Sequence, residues 1–388
     1  YKGLETQIPD NQERLKHILE NQIHGFAPTE IIYNIAKNYI FGNFANINHT
    51  NLKHHDLTPA AKQGDPLNMK FDVIVGNPPY QEDDRGAQAS AKPIYQLFVE
   101  QAKKINPHFI TMITPSRWFT GGKGLDDFRA NMLKDERIRK LVDYPNPNEC
   151  FPGVPIKGGV CYFIWDRENP GICEVTTIRG NAISKIVRPL AEKNASTFIR
   201  YNEAITILGK IAPEPGKTFD TLISSRKPFG LKSNFKDFKQ NEEVKLYANK
   251  EVGYISKEQI NHHVEWINKW KVFISYAYGA GEDFPHQIIN KPFVGEPGSA
   301  CTETYLLIGP FERKMIARNV MTYMATRFFR FLVLQLKNTQ HATSKVYSFV
   351  PMQDFSKPWT DDELYKKYGL DDDEIAFIES MIRPMEID

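Results

Sequence analysis

Leu15, Ile18 and Leu19 fall on one helical face, and Asp10 with Glu13 supplies a polar start ahead of them, so a helix is expected from there to about Asn21. A short strand is expected at residues 23–26. Pro28 and Thr29 then open a second helix, with Ile31, Ile32, Ile35, Ala36 and Tyr39 on one face and Gly42 at its end. An extended segment at 51–57 precedes the apolar run Phe71-Asp72-Val73-Ile74-Val75, which stops abruptly at Gly76-Asn77-Pro78-Pro79-Tyr80. Proline cannot continue a ladder, so this run is expected to be a buried parallel strand meeting a rigid turn. A polar loop at 81–92, a helix at 93–105, a strand at 109–114 and a helix at 125–133 continue an α/β alternation. Strands are expected at 142–144 and 158–166, with 173–178 pairing back across Pro170-Gly171.

The alternation fails near residue 195. Aromatic and basic text follows, as in Ser225-Arg226-Lys227-Pro228-Phe229-Gly230 and between Trp266 and Trp270. Strands are expected at 271–278 and 304–308, then one long helix over 312–337 carrying Met315, Ile316, Met324, Phe328, Phe331 and Leu332. Two domains are therefore expected, residues 1–195 of α/β type and 196–388 of α+β type, in keeping with a chain of 388 residues that is 41% apolar. No internal repeat is visible.

The net charge of +2 conceals an asymmetry. Residues 360–388 hold 3 basic and 10 acidic side chains, leaving +9 on residues 1–359. That excess suits a polyanion, although a solvated mixed surface also explains it. Cys150, Cys161, Cys173 and Cys301 show no Cys-x-x-Cys pair and no histidine set at zinc spacing, so reduced, buried thiols and no metal are expected. The longest apolar stretch, at 328–336, contains Arg330 and falls short of a membrane span, and no signal-peptide pattern is seen. No membrane partner and a cytoplasmic location are expected.

The turn at residues 77–80 carries the clearest chemistry. In an open α/β sheet, ligands bind at the carboxyl ends of strands. Two prolines fix the backbone there, and the Asn77 side-chain carbonyl with a proline carbonyl can accept both hydrogens of an exocyclic amino group. The nitrogen lone pair is then aimed at an electrophilic methyl group. Tyr80 supplies a ring face for a base. These residues resemble the Asn-Pro-Pro-Tyr motif of S-adenosylmethionine-dependent amino methyltransferases, above all the adenine-N6 DNA methyltransferases.

The order of pieces resembles the gamma class of those enzymes from restriction-modification systems, of the type II and IIG kind. The resemblance implies a Rossmann-like catalytic domain followed by a target-recognition domain, S-adenosyl-L-methionine as cofactor, double-stranded DNA as partner, and a restriction endonuclease, linked or separate. It gives Asn77, Pro78, Pro79 and Tyr80 the catalytic turn. Asp56 becomes the carboxylate that contacts the cofactor adenine, with Asp65 as a rival, and Asn77 is counted among the cofactor-binding residues as well as in the catalytic turn. Phe151, in Cys150-Phe151-Pro152-Gly153-Val154, becomes a second aromatic face for a flipped adenine, the alternative being a core phenylalanine. Residues 113–119 resemble the next strand and its exit, with no direct share in catalysis. The loop at 81–92, with Glu82, Asp83, Asp84 and Arg85, is read as a lid or as a plain surface loop.

Two features depart from the resemblance. No Gly-rich turn precedes the Asp10 helix, so the family's first strand is expected to be missing and the chain to be a fragment. Ala27 stands where relatives hold the ribose with an acid, leaving Thr29 or Glu30 as substitutes. Gly279-Ala280-Gly281 and Gly121-Gly122-Lys123-Gly124 lack phosphate-loop spacing and are read as turns. Asp220 with Glu243-Val244-Lys245 fits a loose nuclease pattern that chance also produces. Other readings stay open: a protein glutamine or ribosomal RNA guanine amino group as substrate, or a non-catalytic DNA-specificity module.

Overall fold

The computed structural model describes residues 2–387 apart from 43, 45, 66–67, 83–90, 155, 193–196, 215, 240–241, 280–283 and 338–339. The expected boundary near 195 and the Gly279-Ala280-Gly281 turn therefore fall, wholly or in part, outside the described residues. The chain divides into one unit of Tyr1–Ile74 with Gln81–Ile110 and another of Val75–Tyr80 with Thr111–Asp388.

In the first unit, the Asp10 carboxylate accepts the Gln12 and Glu13 N–H groups at 2.9 and 2.8 Å and so starts α1 (Asn11–His17). A π-helical turn, Ile18–Gln22, extends it. β1 (Gly25–Ala27) and β2 (Leu52–His54) pair in parallel, with Ala27 opposite His54. Between them α2 (Glu30–Phe41) starts at Thr29, whose hydroxyl accepts the Ile32 N–H at 3.3 Å. Phe41 and Leu52 pack with Leu19, joined by Tyr33, Ala36 and Ile40. On the apolar face read for α2, Ile31, Ile32, Ile35 and Tyr39 are exposed, whereas Ala36 joins this cluster. α2 is apolar on most sides, so periodicity alone does not choose the buried stripe. α3 (Thr58–Gln63) closes on Gly64 in the left-handed conformation, whose carbonyl accepts from Lys104 Nζ at 3.2 Å on α4 (Tyr95–Ile105).

β3 (Val73–Gly76) and β4 (Phe109–Pro115) run from the first unit into the second. With β5 (Ile138–Tyr144), β6 (Val160–Asp166), β7 (Cys173–Arg179) and β8 (Ala182–Arg188) they form a sheet in the order β3-β4-β6-β5-β7-β8, and α5 (Asp126–Lys134) follows β4 in sequence. β3 was expected to be buried between neighbours. It is an edge strand, with Val73 53% and Val75 74% exposed, and β1 and β2 form a separate sheet. β7 does not pair back onto β6. It lies parallel to β5, from Lys140 opposite Glu174 to Asp143 opposite Thr177, because β4 already occupies the other edge of β6. β8 went unforeseen. It returns antiparallel to β7 through a turn at Gly180, and its mixed composition fits an edge strand.

After α6 (Glu203–Ile211) come β9 (Val244–Tyr247), β10 (Val252–Ile255), β11 (Trp270–Ser275), β12 (Phe293–Gly295), β13 (Ser299–Cys301) and β14 (Tyr305–Phe311). They form two three-stranded sheets, β10-β9-β13 and β12-β11-β14. The single helix expected over 312–337 is two, α7 (Lys314–Ala325) and α8 (Arg327–Leu334). Thr326 is extended between them and its hydroxyl accepts the Phe329 N–H at 3.1 Å, so a side-chain cap replaces continuation of the ladder. Fully buried Arg330 donates to the Ala325 and Thr326 carbonyls at the break. Phe328, Phe331 and Leu332 pack with Val272, Ile274 and Val320 in one hydrophobic core.

The acidic tail builds α9 (Asp361–Tyr368) and α10 (Asp372–Met381), each opened by a capping box. Asp361 also accepts the Arg327 and Phe328 N–H groups that start α8. Much of the −7 thus serves helix N-termini, where negative charge is favoured. Among the described residues no helix is long and apolar enough to cross a membrane.

Candidate active site

The turn after β3 belongs to the second unit. Asn77 is exposed, Pro78 buried and Pro79 exposed, while Tyr80 is half-buried. The Asn77 amide is therefore available to a ligand on a backbone that two prolines hold. The Tyr80 hydroxyl lies in the interior with no hydrogen-bond partner among the described residues. Burial pushes its pKa up to about 12, and the Cys150 and Cys161 thiols nearby add to the effect. Tyr80 is thus a neutral phenol at pH 7, suited to stacking and unsuited to acting as a base. Cys150 immediately precedes Phe151, so the fold brings Tyr80 near the segment that carries the second proposed aromatic. Phe151 itself is half-buried.

A buried charge cluster fixes the ends of the neighbouring strands. Asp143, in β5 and fully buried, accepts from Ser116 Oγ at 2.6 Å and pairs with Arg200 Nε at 2.8 Å. Arg200 also donates to the Gly158 carbonyl at 2.5 Å, and the Ser116 N–H donates to the Gly159 carbonyl at 3.0 Å. Gly159 has φ +88°, and a Cβ there would stand 2.6 Å from the Tyr144 carbonyl oxygen, so glycine is required where the chain passes β5. These contacts anchor both ends of the 145–159 loop that presents Phe151. Burial raises the Asp143 carboxyl, with Arg200 and Ser116 pulling the other way. Cys161 Sγ lies 3.6 Å from Thr114 Oγ1 in the same layer, and burial pushes that thiol up to about 11.

Ser116, Asp143 and Arg200 were not singled out from the sequence. The one available cue was an aspartate inside the apolar run Leu141-Val142-Asp143-Tyr144. Of the proposed lid, Gln81 bridges to Pro93 and Glu82 pairs with Lys62 at 2.6 Å, whereas Asp83, Asp84 and Arg85 lie outside the described residues.

Of the residues expected to bind the methyl donor, Asn77 belongs to the second unit, whereas Ala27, Thr29 and Asp56 stand in the first, at the carboxyl edge of β1 and β2. The His55 N–H donates to the Ala27 carbonyl at 2.9 Å, and Asp56 follows directly, exposed, with one carboxylate oxygen accepting the Thr58 N–H at 2.8 Å. Ala27 is buried, Thr29 serves as the cap of α2, and Glu30 is exposed beside it. Ala27, Thr29 and Asp56 are thus gathered at one edge. Asp56 suits a cofactor rich in amino and hydroxyl donors, whereas Ala27 offers only a methyl surface. Asp65 is exposed beyond α3.

Of the nuclease-like triplet, Lys245 pairs with Glu296 at 2.7 Å. Among the described residues no group of three His, Cys, Asp or Glu side chains is placed to hold a metal.

Residues 11–151 match the Eco57I restriction-modification methylase family model. A protein of Mycoplasma pneumoniae named as an adenine-specific methylase is 38% identical over 112 residues, which is 28% of this chain and 26% of that one. The chain therefore spans about a quarter of that relative. Looser likenesses link it to the Type ISP restriction-modification enzyme LlaGI (8% identity, 88% of this chain and 41% of that one, TM-score 0.49) and to a type I restriction-modification methyltransferase subunit of Streptococcus thermophilus (16% identity, 48% and 41%, TM-score 0.30). Residues 11–151, the stretch that holds the Asn-Pro-Pro-Tyr turn, are thus similar to restriction-modification methylases.

Proposed function

We propose that the native protein is a site-specific DNA methyltransferase of a restriction-modification system, acting on N6 of an adenine turned out of the duplex. The observation that carries this reading is the turn at residues 77–80, with an exposed Asn77 amide, a buried Pro78 and a half-buried Tyr80 ring, inside the stretch that matches the family. Asn77 and the Pro78 carbonyl accept the two N6 hydrogens and hold the nitrogen in line for attack, chiefly an orientation effect. Tyr80 and Phe151 offer faces that offset the few kcal/mol lost on unstacking.

S-adenosyl-L-methionine, when bound, supplies the activated methyl group. Asp56, Thr29 and Asn77 would hold it by hydrogen bonds, with Ala27 contributing packing. Residues 1–195 form the catalytic part and 196–388 the target-recognition part, which meets DNA through basic and aromatic side chains. A restriction endonuclease, linked or separate, is the functional companion. Ala27 is the one observation that favours a second reading, a DNA-specificity module with no bound cofactor.

Incubation of the native protein with plasmid DNA and methyl-labelled S-adenosylmethionine, followed by nucleoside analysis, tests the proposal. Label in N6-methyldeoxyadenosine is expected, and label in cytosine or protein would refute it. Equilibrium binding of S-adenosylmethionine separates the second reading from the first.

A further inference from the structure

A cavity of about 490 Å³ lies beside β12 and the first half of α7. Its walls include the Trp270 and Phe293 rings, and three cations line it: Lys291, Lys314 and Arg318. Lys314 and Arg318 are one helical turn apart, so they share a face, and Lys314 Nζ sits 5.4 Å from the centre of the Trp270 ring. None of the three cations forms an ion pair among the described residues. The one acid in the wall, Glu296, is already held by Lys245 at 2.7 Å and the Tyr247 hydroxyl at 2.9 Å.

The helix beside this cavity begins against the usual rule. α9 and α10 each open with a capping box and three acids, whereas α7 starts at Arg313 with no side-chain cap, no acid in its first turn and Lys314 as its first residue. Cations at the positive end of a helix dipole oppose it, unless an anion shares the site. Three cations with no ion pair among the described residues thus share one cavity with an aromatic wall, beside a helix start that carries no acid.

We propose that this cavity binds a backbone phosphate of duplex DNA, with Trp270 and Phe293 against the adjoining sugar. The inference rests on the DNA-directed reading above and assigns one contact within it. A terminal phosphate of a free nucleotide has the same chemistry, so the test separates the two sources.

Duplex affinity of the native protein is measured by fluorescence anisotropy across a potassium chloride series, beside Lys314→Gln, Arg318→Gln and the double variant. These side chains are exposed, and circular dichroism checks folding. The double variant is expected to lower the slope of log K against log salt by about 1, and to weaken random and target duplexes equally. An unchanged slope with DNA binding intact would overturn the phosphate site and leave the methyltransferase reading standing. Tight binding of deoxyadenosine triphosphate, lost in the double variant while DNA affinity is kept, would assign the site to a free nucleotide and overturn the backbone contact. A native protein that binds no duplex at low salt would refute both the site and the functional reading.

Discussion

Replacing Tyr80 with phenylalanine separates the ring from its hydroxyl. The hydroxyl is buried and without a partner among the described residues, and an unsatisfied buried polar group costs about 1–3 kcal/mol. Removing it eliminates that cost and leaves a small void, so Tyr80→Phe is expected to stabilise the fold by about 1 kcal/mol in urea denaturation. The ring stays in place, so methyl transfer should remain within about threefold of the native rate. Tyr80→Ala removes the stacking face, worth about 1–3 kcal/mol per base, and should lower kcat/KM by roughly 10- to 100-fold. Steady-state assays on an adenine-containing duplex measure both variants. A phenylalanine variant that loses activity as deeply as the alanine variant would refute the reasoning, since the hydroxyl would then be bonded to the substrate.

Arg200→Met leaves the buried Asp143 carboxylate with only Ser116, and loss of one partner of a buried pair costs about 3–5 kcal/mol. Asp143→Asn keeps an acceptor for Ser116 and should cost less, a difference that denaturation of the two variants reads directly. Lys271 is buried, its ammonium donating to the Ile267 and Ser299 carbonyls at 2.9 Å, and burial lowers its pKa to about 8 from the ordinary 10.5. Between those values the unfolded chain holds more protons than the folded one, so this group's contribution to stability rises with pH from about 8 to 10.5. Hydrogen exchange of β11 and β13 across that range should show the rise in the native protein and its absence in Lys271→Met.

The elements that sequence made legible are those with strong local punctuation. Asp10 and Thr29 announce helix starts that the structure confirms by side-chain caps, and Gly76 with the prolines marks the end of β3. Partnering was less legible, because it depends on which edges are free. β7 joins β5 since β6 is already flanked, and β8 carries too little apolar pattern to be seen. The helix break at Thr326 lies within an unbroken apolar rhythm and is fixed by a capping hydroxyl and by Arg330. At the candidate site, the turn at 77–80 stands out in the sequence because its residue types are local and unusual. Ser116, Asp143 and Arg200 do not, since their meaning arises from a meeting of residues 27 and 57 positions apart.

The most direct measurement is single-turnover methyl transfer by the native protein and by Asn77→Ala, at saturating duplex and S-adenosylmethionine. If the Asn77 amide holds the adenine N6 in line, the alanine variant should transfer methyl at least about 100-fold more slowly, with DNA affinity changed little. A variant within tenfold of the native rate would contradict the assignment of this turn as the catalytic centre.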